Sequence, residues 1–311
     1  MTGTRQSRSS ARYRGCLVGS AVGDALGAPM EGRTLVTQAY LDRLESDPGP
    51  LRYTDDTAMT IAVAESLTVR GRFDGADMAA TLAARYALEP WRGYGDGPPE
   101  VFGNLERGVA WNQAATSLFG GSGSFGNGAA MRVAPVALFG HPDTDHVAEL
   151  ARNSAVITHT HPEGIDGAVA QAVAIDHVLG LALGIAPDPV AMIDRVRRYV
   201  TTAKFHHKLE TVEAIVSTGD HRRLPVLGSG ITAHASVPTA LACFLLHLGS
   251  FPAAVKAAIS LGGDTDTIAA MTGALVGAHL GLSAIPEQWR AVEGADQIVD
   301  LADALARHRP D

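Results

Sequence analysis

Two short acidic segments contain the residue types best suited to hold a metal ion. They lie more than 200 residues apart, and each directly precedes an apolar run that predicts a helix. Their acids and hydroxyls are Thr54, Asp55, Asp56, Asp264, Asp266 and Thr267. If the two helix starts meet, the carboxylates converge and repel one another unless cations lie among them. Because hard cations prefer oxygen donors, the segments predict a site for two divalent ions.

Helix capping is the alternative explanation of the same acids. A carboxylate at a helix N-terminus faces the positive end of the helix dipole and can accept hydrogen bonds from free N–H groups. One cap does not need two adjacent acids, however, so the pair Asp55 and Asp56 favours metal binding. In the second segment, Gly262 and Gly263 can adopt backbone conformations that other residues disfavour, which allows Asp264 and Asp266 to point into one cavity.

A glycine-rich segment between the acidic ones has the chemistry of an anion-binding loop. Residues 121–126 read Gly-Ser-Gly-Ser-Phe-Gly and match the pattern GxGxxG. A dinucleotide-binding fold is disfavoured, because that fingerprint needs a preceding strand and a following helix, which this context does not provide. Successive backbone N–H groups would instead cradle a diphosphate, extended by Asn127, Gly128 and Arg132. Phe125 could stack on a base.

Two further segments are informative only in combination with this loop. Residues 91–97 are rich in glycine and aromatic residues and could form another wall of the same pocket. His159 and His161 stand two residues apart, but no third nitrogen or sulfur ligand follows at a usual zinc spacing. We therefore expect no zinc site, and a role for His159 in ligand contact depends on the surrounding motifs.

The composition excludes several classes of protein. The chain has 311 residues, a net charge of −8 and no basic run beyond its first residues, so no nucleic-acid partner is expected. No apolar stretch approaches the ~20 residues that a membrane span needs. Cys16 and Cys243 form neither a disulfide framework nor a zinc pattern, and they predict reduced core residues in a cytoplasmic protein. The absence of a heptad pattern favours a monomer.

Helical periodicity dominates the chain, and no alternating strand pattern is present, so we expect an all-α fold. Residues 1–11 predict a disordered polar tail, and residues 12–311 predict a single domain. Helices are expected at 13–25, 57–70, 76–89, 101–113, 145–157, 164–183, 189–199, 208–216, 237–248, 251–260, 265–280 and 285–306.

Two of these helices carry a glycine at every fourth position. The glycines are Gly15, Gly19 and Gly23, and Gly273, Gly277 and Gly281. Glycine inside a helix costs about 1 kcal/mol relative to alanine, so three in register indicate a structural reason. The pattern predicts close helix–helix contact, and contact between the first and last quarters of the chain would bring the acidic segments together.

Five motifs, in this order, resemble those of the ADP-ribosylglycohydrolase family. They are GCLVGSAVGDALGAPMEG (15–32), YTDDTAMTIAVAESL (53–67), FGNGAAMRVAP (125–135), THTHPEGIDGAVAQA (158–172) and SLGGDTDTIAAMTGALVGAHLG (260–281). The motifs span nearly the whole chain, and TDDT followed by GGDTDT at this separation is highly specific. On these motifs the chain is identified as a member of that family.

The resemblance implies a single compact, roughly orthogonal helical bundle with a binuclear site for two Mg²⁺ or Mn²⁺ ions. By motif match, the metal ligands are Glu31, Thr54, Asp55, Asp56, Asp264, Asp266 and Thr267. Glu31 matches a mobile glutamate near the metals and the scissile ribose, so the expected catalytic residues are Glu31, Asp55 and Asp264. The residues expected to line the ADP-ribose cleft are Gly95, Ser124, Phe125, Gly126, Asn127, Gly128 and His159.

The resemblance also implies hydrolysis at ribose C1″, with release of ADP-ribose from ADP-ribosylated proteins. The segments 91–97, 124–135 and 237–244 are closer to the serine-ADP-ribose branch, which also acts on poly(ADP-ribose) and O-acetyl-ADP-ribose. The segment 158–163 is closer to the arginine-specific bacterial enzymes, so arginine-linked ADP-ribose is the alternative substrate. Two alternatives of another kind are a non-catalytic ADP-ribose-binding protein and a two-metal phosphohydrolase that cuts the diphosphate.

Overall fold

The computed structural model describes residues 2–183 and 185–308, with side chains from residue 10 onwards. Over these residues the chain is helical and contains no strand, only one isolated bridge between Gly126 and Thr232. The helices are α1 (Thr2–Gly27), α2 (Gln38–Ser46), α3 (Asp55–Arg70), α4 (Gly75–Leu88), α5 (Gly97–Glu106), α6 (Gly128–Met131), α7 (Ala134–Gly140), α8 (Thr144–Ala155), α9 (Pro162–Gly180), α10 (Pro189–Arg197), α11 (Ala203–Thr218), α12 (Ala233–Leu246), α13 (Phe251–Ser260), α14 (Thr265–Leu280) and α15 (Ala295–Arg307). The predicted all-α class is confirmed.

Helices α1 and α14 pack antiparallel with their backbones in contact. A Cβ atom on Gly23 would lie 2.0 Å from the carbonyl oxygen of Ala269, and a Cβ on Gly277 would lie 1.9 Å from that of Gly15. Side-chain carbons do not occupy such distances, so only glycine permits this approach. The predicted close contact of the glycine-bearing helices is confirmed. It places the end of α1 beside the start of α14.

Helix limits agree with the sequence prediction where capping signals are clear. Helices α13 and α14 have the predicted limits, and α13 follows Ser250, whose hydroxyl accepts from the N–H of Ala253 (3.3 Å). The predicted helix over 285–306 is wrong in its first part, because Pro286 and Gly294 (φ 70°) interrupt the backbone before α15. Helices α2, α6 and α7 are missing from the prediction, since four to nine residues carry little periodicity.

The N-terminal segment differs from the prediction. Helix α1 begins at Thr2, whereas the sequence places a disordered tail over residues 1–11; residue 1 lies outside the described residues. Once the later turns of α1 are held by packing, further helical residues need no new nucleus, and the helix extends towards its start. At the edge of this segment Arg12 is buried, and its guanidinium donates to the carbonyl oxygens of Val178 (2.6 Å) and Ala278 (2.7 Å).

Buried apolar side chains form one continuous core that includes residues from Tyr13 to Leu305. Cys16 and Cys243 lie inside it as free thiols, as the sequence predicts. Trp289 is fully buried, and its indole N–H donates to the carbonyl oxygen of Leu44 (2.7 Å). Within the described residues no helix is both long and apolar enough to cross a membrane.

Candidate metal centre and substrate cavity

The two acidic segments meet where α3 and α14 begin. The hydroxyl of Thr267 donates to Oδ2 of Asp56 (3.3 Å), although the two residues are 211 positions apart. The hydroxyl of Thr54 donates to the same oxygen (3.2 Å). The fold therefore brings the predicted ligand segments into direct contact at two helix N-termini, where the helix dipoles favour negative charge.

The carboxylates at this junction form two overlapping groups suited to cations. Oxygens of Asp24, Asp56 and Asp266 lie within 4.8 Å of one another, and oxygens of Glu31, Asp264 and Asp266 do the same. Asp56 and Asp266 each have a buried oxygen, Oδ1, without a hydrogen-bond partner among the described residues. Orphaned buried carboxylate oxygens are rare in proteins. An all-oxygen donor set of this kind fits hard divalent cations such as Mg²⁺ and Mn²⁺.

The electrostatics of the protein without ions also favour a cation at this junction. Burial, together with the neighbouring carboxylates, raises the pKa of Asp55 to about 7 and the pKa of Asp266 to about 9. Burial and the carboxylates around it also raise the pKa of Asp56 well above its ordinary value. A bound cation would remove the cause of these shifts, because its charge compensates for the lost hydration.

Asp24 is a site residue that the sequence reasoning missed. It lies near the end of α1, is fully buried, and accepts from the backbone N–H groups of Thr54 (3.0 Å) and Thr57 (3.1 Å). It also accepts from the hydroxyl of Thr57 (2.6 Å). These bonds fix the start of α3, and with it the first acidic segment. The available signal was an acid on an otherwise apolar, glycine-bearing helix.

The second acidic segment is positioned by its two glycines. Gly262 and Gly263 have φ angles of +68° and +74°, and a Cβ on Gly263 would lie 2.1 Å from the carbonyl oxygen of Ser229. The N–H of Gly263 donates to the carbonyl oxygen of Arg33 (2.8 Å), and its own carbonyl accepts from Gly32 (2.8 Å). These bonds tie the turn before α14 to the loop that follows Glu31.

Glu31 lies at the end of a 3₁₀ turn over residues 28–30 and lines the cavity described below. Its side chain is exposed relative to the buried aspartates around it. Partial burial, together with the nearby Asp264, raises its pKa above the ordinary value. A partly exposed glutamate beside the acid cluster can exchange protons with water, as a general acid or base must.

The loop over residues 91–97 forms one wall of the site. The carbonyl oxygen of Arg92 accepts from the N–H of Asp55 (2.9 Å). The Arg92 guanidinium lies over the Tyr53 ring, 4.0 Å from its centroid, and pairs with Glu293 (2.9 Å). Gly93 has φ +93°, and a Cβ there would point towards Asp55 at 3.9 Å. The structure thus supports the expectation that this loop borders the pocket.

The glycine-rich loop forms the opposite wall. The N–H of Asn127 donates to the carbonyl oxygen of Ile231 (3.0 Å), and that of Ala233 donates to Phe125 (3.0 Å), so the loop is held by the segment before α12. A Cβ on Gly123 would lie 2.3 Å from Oγ1 of Thr160. The Asn127 side chain then reaches across to the acid cluster and donates to Oδ2 of Asp264 (2.5 Å). One residue therefore links the loop to the second acidic segment.

A cavity of about 260 Å³ lies between these walls. The predicted residues that line it are Glu31, Asp55, Asp56, Gly95, Ser124, Gly126, Asn127, Gly128, His159, Asp264, Asp266 and Thr267. Thr54 and Phe125 are not among the lining residues; Phe125 is 44% exposed and lies edge-on to His161, with ring centroids 5.7 Å apart. The sequence prediction of Phe125 as a base-stacking residue therefore has no direct support from the cavity.

Two exposed apolar residues at the cavity were also missed. Phe119 and Ile231 line it and are 56% and 68% exposed. Phe119 has φ +52°, an uncommon conformation for an aromatic residue, in a tight turn. Exposed apolar groups at a polar cavity provide flat contact area for a base or sugar. Their only sequence signal was an apolar residue next to glycines or before a helix start.

Comparison with known proteins identifies the family. The sequence model of the ADP-ribosylglycohydrolases matches residues 5–311. The proteins named ADP-ribosylhydrolase ARH3 from Mus musculus and Homo sapiens are each 36% identical over 343 aligned residues, covering 97% of this chain and 92% and 94% of those proteins. The ADP-ribosyl-[dinitrogen reductase] glycohydrolase of Rhodospirillum rubrum is 29% identical over 291 residues, covering 89% of this chain and 88% of that protein.

A solved structure agrees with the sequence comparison. It is described as an ADP-ribosylglycohydrolase-related protein complex, and it matches with a TM-score of 0.73 and 28% identity, covering 97% of this chain and 99% of the other. The helical architecture and the motifs thus lead to the same group of proteins. The chain belongs to the ADP-ribosylglycohydrolase family and is an enzyme that hydrolyses glycosidic bonds.

Proposed function

We propose that this protein is a metal-dependent ADP-ribosylhydrolase that cleaves the C1″ bond of serine-linked ADP-ribose on proteins. The observation that carries the proposal is the bond between Asn127 and Asp264, which joins the glycine-rich loop to an acid cluster within one cavity. An ADP-ribosyl group has a diphosphate at its centre and a ribose diol at its end. The loop and the cluster offer complementary chemistry to these two parts.

The residues present fit two divalent cations. The proposed ligands are Glu31, Thr54, Asp55, Asp56, Asp264, Asp266 and Thr267, and the two carboxylate groups described above share Asp266. When bound, Mg²⁺ or Mn²⁺ would polarise the ribose hydroxyls and lower the pKa of a coordinated water. The buried oxygens of Asp56 and Asp266 that lack partners support this assignment.

The chain's own residues would contribute orientation, charge and proton transfer. Glu31, exposed enough to exchange its proton, would deprotonate the attacking water or protonate the leaving oxygen. Negative charge from Asp55 and Asp264 would stabilise an oxocarbenium-like ribose as positive charge develops at C1″. The glycine loop would hold the diphosphate, so that binding energy from this remote part orients the reacting carbon.

Serine linkage is favoured over arginine linkage by the second part of the segment 158–163, because Thr158 and His159 line the cavity but His161 and Glu163 do not. Its arginine-branch resemblance includes His161, yet His161 does not line the cavity. His161 instead caps α9, where its Nδ1 accepts from the N–H of Glu163 (3.1 Å), and Glu163 pairs with Lys204 and His234 (both 2.8 Å). These contacts are structural. Higher identity to the ARH3 proteins than to the dinitrogen reductase glycohydrolase, 36% against 29%, supports the same choice.

Product analysis by mass spectrometry tests the proposal. Serine-linked and arginine-linked ADP-ribosyl peptides are offered in parallel, each with Mg²⁺ and with EDTA. Release of intact ADP-ribose from the serine-linked peptide, abolished by EDTA, is the expected result. Release from the arginine-linked peptide alone would reverse the linkage assignment. Release of AMP would identify a phosphohydrolase, and tight ADP-ribose binding without turnover of either peptide would contradict the proposed activity.

A further inference from the structure

We infer that Arg132 and Thr158 are positioning residues that fix the neutral His159 ring as an Nε2–H donor to the substrate diphosphate. The inference rests on the proposed function for the identity of the ligand. Its structural part, the proton position on the ring, rests on the contacts of the three side chains. All three line the cavity.

Arg132 is an unusual feature of the cavity wall. Its side chain is 1% exposed, and among the described residues no ion pair includes it and its Nε has no partner. The guanidinium donates to the carbonyl oxygens of Gly128 (3.1 Å) and Ser154 (3.4 Å) and to the hydroxyl of Thr158 (2.7 Å). Burial lowers the pKa of Arg132 to about 10, because the negative charge of Asp55 only partly offsets the lost hydration. The guanidinium is held in one position at the cavity wall by the three oxygens that accept from it.

The hydrogen bonds from Arg132 constrain where the protons of Thr158 and His159 lie. A guanidinium can only donate, so Oγ1 of Thr158 must accept from Arg132. The hydroxyl proton of Thr158 is then available to Nδ1 of His159, which lies 2.7 Å away. If Nδ1 accepts, the proton of the neutral ring is on Nε2. Burial and the nearby Arg132 lower the pKa of His159 to about 3, which keeps the ring neutral at physiological pH.

Two glycines leave Nε2 open to the cavity. A Cβ on Gly128 would lie 3.3 Å from Nε2 and 3.0 Å from Cε1, and a Cβ on Gly126 would lie 3.6 Å from Nε2. No described residue forms a hydrogen bond with Nε2, and both glycines belong to the anion-binding loop. The ring therefore presents a neutral donor where a phosphoryl oxygen would lie. Polarisation through Thr158 by the buried guanidinium strengthens that donor.

A matched pair of variants separates this role from ordinary packing. Thr158→Val keeps the shape of the side chain but removes the hydroxyl, and Thr158→Ser keeps the hydroxyl. The ring tautomer is read from the ¹⁵N chemical shifts of His159, and ADP-ribose affinity is measured by calorimetric titration with Mg²⁺ present. Thr272→Val is the control, because Thr272 is buried and bonds only to the backbone oxygens of Ile268 and Ala240 within α14 and α12.

We expect wild type and Thr158→Ser to show a protonated Nε2 and similar affinities. Thr158→Val should populate the Nδ1–H tautomer and bind ADP-ribose about tenfold more weakly, as loss of a well-placed donor predicts. An unchanged tautomer with unchanged affinity in Thr158→Val would overturn the inference. If Thr158→Val changes the tautomer but the wild-type protein does not bind ADP-ribose, the positioning role is supported and the proposed function is overturned.

Discussion

The carboxylates at the candidate metal centre differ in what they contact. Asp24 accepts hydrogen bonds from Thr54 and Thr57 with both of its oxygens. Asp56 and Asp266 each keep a buried oxygen without a partner. We interpret Asp24 as the residue that holds the start of α3 in place, and the unpartnered oxygens as those available to ions. This difference can be tested at single residues.

Asp24→Asn should weaken metal binding, although Asp24, which belongs to one of the two carboxylate groups, is not among the proposed ligands. In either orientation of the amide, its NH2 group would face an N–H of Thr54 or Thr57 that now donates to a carboxylate oxygen, at a cost of about 1–3 kcal/mol in stability. We expect a lower melting temperature and Mg²⁺ affinity reduced at least about tenfold, measured by calorimetric titration. Asp42→Asn is the control, because Asp42 is exposed and accepts only from Gln38 on α2. Equal Mg²⁺ affinity of the Asp24 and Asp42 variants would contradict the positioning role.

Glu31→Gln should separate chemistry from binding. The amide keeps the size of the side chain but cannot take up or release a proton at neutral pH, so turnover should fall by roughly 10²–10⁴-fold. Affinity for ADP-ribose should remain close to that of wild type, because the glycine loop is unchanged. Single-turnover release of ADP-ribose and calorimetric titration measure the two quantities. Full activity of Glu31→Gln would exclude Glu31 as the general acid or base.

At the residue scale, adjacent acids could be predicted as site residues from the sequence, whereas an isolated acid could not. Asp55 and Asp56 are adjacent, and their density distinguishes them from a single helix cap. Asp24 has partners that are backbone N–H groups 30 and 33 residues away, which no local pattern encodes. Phe119 and Ile231 become cavity residues only because two distant segments pair.

At the scale of elements, the pair α1 and α14 positions both halves of the candidate metal centre. Asp24 lies near the end of α1, and Asp266 and Thr267 lie in the first turn of α14. The hydroxyl of Thr265 donates to the carbonyl oxygen of Gly27 (2.8 Å), which links the two ends directly. The distance between the helix axes is therefore a determinant of the site, and glycine sets it.

Gly277→Ala should destabilise the protein, because its Cβ would lie 1.9 Å from the carbonyl oxygen of Gly15. Separation of the two helices costs about 1–3 kcal/mol or more, as overpacking of a tight interior does. Chemical denaturation gives the free energy of unfolding. Gly180→Ala in α9 is the control, since no atom lies within 4 Å of the Cβ position there. Equal stability of the two variants would show that the helices can separate without loss.

Elements with strong local signals could be predicted, and those shaped by tertiary contacts could not. Helix α14 has its predicted limits because its apolar run, its preceding glycines and its following Gly281 all agree. The conformation of residues 125–127 depends instead on backbone bonds to residues 231–233, over 100 positions away. The sequence could identify that loop as glycine-rich, but it could not give the loop's shape, and anion binding by the loop stays a prediction.

At the scale of the whole molecule, the buried acids make folding depend on pH and on ions. In the metal-free protein the folded state keeps protons on Asp55 up to about pH 7 and on Asp266 up to about pH 9. An unfolded chain loses them near pH ~4. The contribution of these two protonated carboxyls to the free energy of unfolding is therefore fully present below about pH 4 and is lost as pH rises through 7 and 9. Net stability then decreases over that range.

The melting temperature of the EDTA-treated protein should fall between pH 5 and 9, measured by scanning calorimetry. Asp266→Asn should show a smaller fall, because the amide has no proton to lose. The direction of the trend is the critical result. A melting temperature that rises with pH in metal-free wild type would show that these carboxylates are ionised and stabilised without ions.

Mg²⁺ should raise the melting temperature most at the alkaline end of this range, where the carboxylates are already deprotonated. An ion at about 100 times its dissociation constant stabilises a folded protein by ~2.7 kcal/mol, which for a chain of this size is on the order of 5 °C. Equal effects of Mg²⁺ and K⁺ at matched ionic strength would indicate general screening and contradict a specific site.

The antiparallel contact of α1 with α14 also sets when the enzyme can first become active during synthesis. The partner of Gly15 is Gly277, so the first helix leaves the ribosome more than 250 residues before its packing surface exists. Until α14 has been synthesised, the glycine face of α1 and Asp24 stay exposed. Partly folded chains with such exposed surfaces are prone to misassociate. A nascent chain that stops before α14 has the glycine loop and the first acidic segment but no assembled catalytic centre.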